Sequence, residues 1–134
     1  MKKKICLVVA NYYPEISKSL IVGASKILKS AEINNYKIFK VPGVFEIPYV
    51  ILKNITKYDG FIALGCVIKG ETPHFEYISI STINALMHLS VTYKKPISNG
   101  IITCLNKKQA LDRSIKGKNK GQESAKAILS LLKI

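Results

Sequence analysis

The run Lys69-Gly70-Glu71-Thr72-Pro73-His74 gathers the residue types that anion binding and proton transfer need. Glycine lets a ligand approach the backbone, and threonine before proline suits a helix N-cap with proline in the first turn. A helix start offers free N–H groups and a positive dipole end to a phosphate. A histidine in that turn stands beside any bound anion, and its neutral form can move protons near pH 7. Such a role is typically worth ~10²–10⁴-fold in rate. A solvent-exposed histidine at an ordinary helix start has the same local pattern, so the other segments have to discriminate. In Val41-Pro42-Gly43-Val44-Phe45-Glu46-Ile47-Pro48, two prolines bracket a glycine, an aromatic ring and a carboxylate. Glu46 can accept hydrogen bonds from hydroxyls; equally, it can complement a helix dipole at a rigid turn. Tyr12 and Tyr13 offer rings on which a planar ligand can stack.

Two further features are cationic. Of the 21 basic residues all but Arg113 are lysines. A lone arginine in such a chain stands out because lysine cannot reproduce its bidentate fork. Lys118-Asn119-Lys120-Gly121 opens the last helix and reads either as a second anion site or as a solvated basic turn. Arg113 reaches the same ligand if its loop folds over a strand end. His88 falls in the middle of an uncharged helix, where packing or an interface suits it better than chemistry.

These residues depend on an alternation of strands and helices. Apolar runs rich in β-branched residues predict strands over 5–9, 36–41, 61–67 and 97–104. Three-to-four spacing of apolar residues predicts helices over 16–31, 45–55, 73–93, 107–115 and 119–132, with Pro48 tolerable only in a first turn. Short connections between them imply a parallel sheet covered on both faces. The expected fold is a three-layer α/β/α sandwich with a four-stranded parallel, flavodoxin-like sheet, in one domain over residues 1–134. Ligands in such folds bind beyond the carboxyl ends of the strands, near the switch in strand order. That rule selects Asn11–Pro14, Pro42–Glu46, Val67–His74 and Thr103–Asn106.

Composition narrows the partners. A net charge of +13 suits a nucleic-acid binder or a phosphate-seeking enzyme, but the lysines are scattered along the chain. Specific nucleic-acid binding is therefore not expected. No apolar run reaches the length of a membrane helix, and the Met1-Lys2-Lys3-Lys4 start leads into a buried strand rather than a cleavage site. Cys6, Cys66 and Cys104 lack metal-ligand spacing and sit in strand-like runs as small hydrophobes. A reduced, cytoplasmic protein with no membrane partner and no metal is the expectation. Residues 77–93 contain no aspartate, glutamate, lysine or arginine. A helix without a charged outer face predicts subunits packed against one another, hence a homo-oligomer.

Taken together, five segments in order resemble the lumazine synthase family. They are Val8-Val9-Ala10-Asn11-Tyr12-Tyr13, the 41–48 segment, Gly65-Cys66-Val67-Ile68 running through the 69–74 segment to Phe75-Glu76-Tyr77, Gly100-Ile101-Ile102-Thr103, and Asn119-Lys120-Gly121-Gln122-Glu123. The likeness covers nearly the whole chain, and the third segment is the most family-specific. It implies condensation of a ribitylamino-aminouracil with a dihydroxybutanone phosphate, with no metal or organic cofactor, in a pentamer-based homo-oligomer. By the same resemblance Tyr12 would stack on the pyrimidine, and Val44, Phe45 and Glu46 would bind the ribityl-bearing substrate. Cys66, Val67 and Ile68 would present backbone groups to it. Glu71 and Thr72 would seat the phosphate, His74 would be the principal acid/base, and Arg113 and Lys120 would hold the phosphate and polarise the carbonyl substrate. Asn99 would lie across a subunit boundary, where many members have phenylalanine. Lys69 stands where the family has arginine, Tyr13 where it has asparagine, and the 114–118 loop is slightly short. A flavodoxin-like flavin or phosphometabolite-binding module without turnover is the alternative. It accounts for the fold and the phosphate seat but not for a histidine, an arginine and a glutamate converging there.

Overall fold

The computed structural model describes residues 2–115 and 117–133; Met1, Ile134 and Lys116 of the 114–118 loop lie outside them. Four strands, β1 (Ile5–Ala10), β2 (Tyr36–Val41), β3 (Gly60–Ile68) and β4 (Ile97–Cys104), form one sheet in the order β2-β1-β3-β4. All three pairings are parallel. Among the described residues, five α-helices connect and follow them: α1 (Pro14–Ser30), α2 (Ile47–Lys53), α3 (His74–Tyr93), α4 (Lys107–Asp112) and α5 (Lys120–Leu132). This is the three-layer α/β/α arrangement that the alternation of strand and helix patterns predicts.

Alternate strand residues enter opposite cores, because successive side chains of a strand point to opposite faces. Ile5, Leu7 and Val9 of β1 pack with Ile62 and Leu64 of β3 against Ile16, Leu20 and Leu28 of α1 and Ile128 of α5. Cys6, Val8 and Ala10 pack with Phe61 and Ala63 against Ile47 and Ile51 of α2 and Leu86 and Leu89 of α3. Burial on both faces is why β1 is apolar at every position rather than at every other one.

Helix boundaries differ from expectation at four main places, one of them α4, which ends at Asp112 with Arg113 as its C-cap, three residues short of the expected 115. α1 starts at Pro14, two residues earlier than expected, with proline at the first position and Glu15 in the first turn. Phe45 does not begin α2: Val44–Glu46 is a 3-10 turn, in which the Glu46 N–H donates to the Gly43 carbonyl at 3.2 Å, and α2 follows from Ile47. Pro48 has no N–H to give the first α-turn, which favours the tighter entry. Thr72 is not the N-cap of α3. Pro73 takes that place, its carbonyl accepting from Glu76 at 3.1 Å, while the Thr72 hydroxyl only accepts a long 3.4 Å bond from the His74 N–H.

Candidate active site

The strand order reverses between β1 and β3, and there the carboxyl ends of β1, β2 and β3 open onto a cleft of about 500 Å³. Registers place these ends level, with Ala10 beside Val41 and Val9 beside Leu64. Tyr12 and Tyr13 follow β1, the 42–46 turn follows β2, Cys66, Val67 and Ile68 end β3, and His74 and Ile78 come from α3. Of the residues anticipated from sequence, the cleft thus unites Tyr12, Val44, Phe45, Glu46, Cys66, Val67, Ile68 and His74.

Pairing with β1 stops at Leu64, whereas β3 runs on to Ile68 alongside β4. The backbone of Cys66 to Ile68 therefore has β4 on one edge and the cleft on the other. Main-chain donors and acceptors left unpaired at such an edge need a partner, and a planar heterocycle with alternating N–H and C=O groups supplies one. The walls are aromatic. Tyr12 is 71% exposed and Phe45 61% exposed, an unusual position for large rings unless a ligand or another subunit covers them. Tyr12 meets Tyr13 edge-on, with centroids 5.0 Å apart at 77°. Tyr13 is backed by the Lys107 ammonium 5.9 Å from its ring, and Lys107 is paired with Glu15. Burial, then the neighbouring Cys66 thiol, pushes the Tyr13 phenol above its ordinary value, so it stays protonated at neutral pH.

Glu46 has two tasks. One carboxylate oxygen accepts from the Gly43 N–H at 2.9 Å and fixes the turn, leaving the other lone pairs for the cleft. The His74 ring makes no hydrogen bond with the described residues, and it faces the same cleft as Glu46 and Tyr12. Glu71 and Thr72 lie just outside the lining, exposed in the loop that leads into α3. That loop is tied to β4 where the Lys69 N–H donates to Cys104 at 2.9 Å, and Lys69 lies 3.9 Å from Glu76. The Cys66 thiol is pushed up to about 12 by burial first and the Cys104 thiol second. It is no nucleophile near pH 7, since only a thiolate attacks.

Arg113 and Lys120 stand together one strand away. The Arg113 guanidinium donates to the Thr103 carbonyl at 3.1 Å, and Thr103 is the β4 partner of Val67. The Lys120 N–H donates to the Arg113 carbonyl at 2.8 Å, and its ammonium pairs with Glu123 at 3.3 Å. Neither side chain lines the cleft of its own chain as described. Asn99 is further off. It pairs with Ala63, well below the cleft, on the outer edge of β4, where its side-chain oxygen accepts from the Ile101 N–H at 3.0 Å. Tyr13, Pro42 and Gly43, in segments the sequence already singles out, line the cleft too, and sequence reasoning passed over only Ile78. Ile78 was accessible by spacing, since it lies one turn beyond His74 on the same helix face.

The family model of 6,7-dimethyl-8-ribityllumazine synthase matches residues 2–134. Among similar curated proteins, the 6,7-dimethyl-8-ribityllumazine synthase of Bartonella bacilliformis is 44% identical over 133 residues, covering 96% of this chain and 87% of the relative. That of Bartonella tribocorum is 43% identical, covering 98% and 91%. The 6,7-dimethyl-8-ribityllumazine synthase 1 of Rhodopseudomonas palustris is 41% identical, covering 98% and 85%.

Proposed function

The chain belongs to the 6,7-dimethyl-8-ribityllumazine synthase family, and from that membership we propose how its residues divide the work. The protein is a transferase. It condenses 5-amino-6-(D-ribitylamino)uracil with 3,4-dihydroxy-2-butanone 4-phosphate to 6,7-dimethyl-8-ribityllumazine, releasing phosphate and water, the penultimate step of riboflavin biosynthesis.

The single observation supporting the residue assignment is that His74, Glu46 and Tyr12 face one cleft at the switch in strand order. The pyrimidine lies against Tyr12 and reads the free edge of Cys66, Val67 and Ile68. The ribityl chain runs along Val44 and Phe45, with its hydroxyls on Glu46. The phosphate of the second substrate sits over the start of α3, near Glu71 and the Thr72 hydroxyl, with Arg113 and Lys120 as its cations. The uracil amine attacks the butanone carbonyl, and loss of water leaves an imine. Removal of a proton then expels phosphate, and the ribitylamine nitrogen closes the ring with loss of a second water. Each step moves a proton, and His74 is the group placed to carry it. Both substrates are intrinsically reactive, so alignment and one proton shuttle supply most of the rate.

The active unit is a homo-oligomer, pentamer-based by family. The uncharged stretch of α3 supports this, for Tyr77, Ile80, Met87 and Val91 are all exposed in the single chain. Asn99, remote from its own cleft, reaches a neighbour's in such an assembly. No helix is long and apolar enough to cross a membrane. Three free cysteines, all buried, fit a reducing cytoplasm. Mixing the two substrates with purified protein and following lumazine fluorescence together with phosphate release tests the assignment. Folded protein that binds both but releases no phosphate would point back to a binding module.

A further inference from the structure

The geometry points to Asn119 as a positioning residue that holds Arg113 and Lys120 in register for the substrate phosphate. The inference rests on the assignment of those two cations to that phosphate. Asn119 is only 7% exposed, and its amide is fully engaged. Its oxygen accepts from the Gln122 N–H at 3.0 Å, which is the ordinary duty of a helix N-cap. Its nitrogen has two other partners, the Ser114 carbonyl at 2.7 Å and the Ser19 carbonyl at 3.0 Å. A helix cap requires neither. Serine or aspartate would cap α5 as well; only a primary amide combines the acceptor with two donor hydrogens.

The two donated bonds run where the chemistry needs rigidity. Ser114 follows Arg113 and Asn119 precedes Lys120, so the bond to Ser114 crosses the base of the loop between the two cations. The Lys120-to-Arg113 backbone bond at 2.8 Å runs beside it. Residues 113–114 and 119–120 are thus laced by one side-chain and one main-chain bond. The donation to Ser19 spans 100 positions of sequence and lands on α1. α1 begins at Pro14, directly after Tyr12 and Tyr13 of the cleft wall. One amide therefore anchors the loop of the two cations to α1.

The helices pack closely around the amide. A Cβ on Gly23 would stand 2.2 Å from the Asn119 oxygen, and one on Gly121 2.1 Å from the Leu20 carbonyl. These two glycines let α1 and α5 close around the amide. Arg113 itself is an exposed side chain whose one bond among the described residues is to Thr103. Its aim at a phosphate depends on where its backbone is held, and misplacement by about 1 Å can cost on the order of 10²-fold in rate.

The test is Asn119→Ser in the full chain, with Asn119→Thr as the second variant should the first not fold. Either hydroxyl still caps α5 but is too short to bridge both carbonyls. The expected result is a rise of about tenfold in KM for the butanone phosphate and in the inhibition constant of inorganic phosphate. KM for the ribitylaminouracil should stay within about twofold. In an Arg113→Ala background the Asn119 substitution should add little, because it acts through that arginine. The proposal is overturned if both phosphate constants remain at wild-type values, or if the constants for both substrates rise together as a merely structural role would have it. Arg113→Ala and Lys120→Ala, measured alongside, separate the two levels. If they leave the phosphate constants unmoved, the assignment of the cations fails; if they move them while Asn119→Ser does not, only the role of Asn119 fails.

Discussion

Gly65 of β3 lies directly beneath Val44 of the 3-10 turn: a Cβ on the glycine would stand 2.8 Å from the Val44 side chain and 3.0 Å from that of Ala10. This contact lets the turn after β2 settle onto β3, and the same turn carries Phe45 and Glu46 into the cleft. Gly65→Ala should lift the turn by a few tenths of an ångström, and Gly65→Val should displace it. The expected cost is about 1–3 kcal/mol in stability for the valine, as for other overpacked sites. KM for the ribitylaminouracil should rise with it, while the inhibition constant of inorganic phosphate stays put. Thermal unfolding and steady-state kinetics on the two variants check this. An unchanged KM in Gly65→Val would detach the turn from ribityl recognition.

Arg113→Lys keeps the charge and removes the fork. Hydrogen bonds to charged groups are worth roughly 1.5–3 kcal/mol, or about 10–100-fold. We expect a loss of that size in kcat/KM for the butanone phosphate, far beyond the effect of any single exposed Lys→Ala change. Near-wild-type turnover in Arg113→Lys would show that the arginine is incidental.

His74→Ala should slow turnover by about 10²-fold, at the lower end for general acid–base catalysis. Alignment of two reactive substrates survives the substitution, so the reaction is not abolished. Product formation in a single turnover across neutral pH is the measurement. A rate equal to wild type throughout would remove the histidine from the chemistry.

Much of this was readable from the residues, for identifiable reasons. Burial on both faces makes β1 and β3 continuous apolar runs, so their limits are close to those observed. Arg113 stands out in the sequence by being alone and His74 by standing one residue past a proline at a helix start; His74 lines the cleft, whereas Arg113 is held one strand away on Thr103. The 3-10 turn at Val44–Glu46 was not visible, because Phe45 to Leu52 reads as one amphipathic stretch until the Gly43–Glu46 bonds are seen. Asn119 stayed hidden for a different reason. Its partners are main-chain carbonyls, one of them 100 positions away, and a carbonyl leaves no trace in the residue types.

Cys66 lines the cleft, yet its thiol is idle. Burial and the adjacent Cys104 thiol push it up to about 12, and burial pushes Cys6 to about 12 as well. Cys66→Ala should therefore keep kcat within about threefold, whereas loss of a true nucleophile costs orders of magnitude. Both thiols should also resist iodoacetamide near pH 8 in the folded protein. The same values fix a pH effect on stability. Unfolded thiols lose their protons near 9, so between about 9 and 12 the unfolded chain binds fewer protons than the folded one. Stability contributed by these two groups is complete below pH 9 and declines as pH rises toward 12. Urea midpoints at pH 8, 9.5 and 10.5 should fall in that order, and the fall should be smaller in a Cys6→Ala, Cys66→Ala double variant.

The uncharged outer face of α3 makes the final prediction. Ile80 is 59% exposed and Val91 69% exposed in the single chain, three turns apart on one helix. Water contact over such a stripe is costly at roughly 25 cal/mol per Å², and burial between copies removes that cost. A lysine at each position should oppose association by charge repulsion and by desolvation of the ammonium. The Ile80→Lys, Val91→Lys variant is expected to sediment as a smaller species than the wild type while keeping its far-UV circular dichroism. Its activity should fall with its mass if, as proposed, Asn99 contributes to a neighbouring cleft. Wild-type protein that sediments as a stable monomer with full turnover would refute both the interface and the shared site.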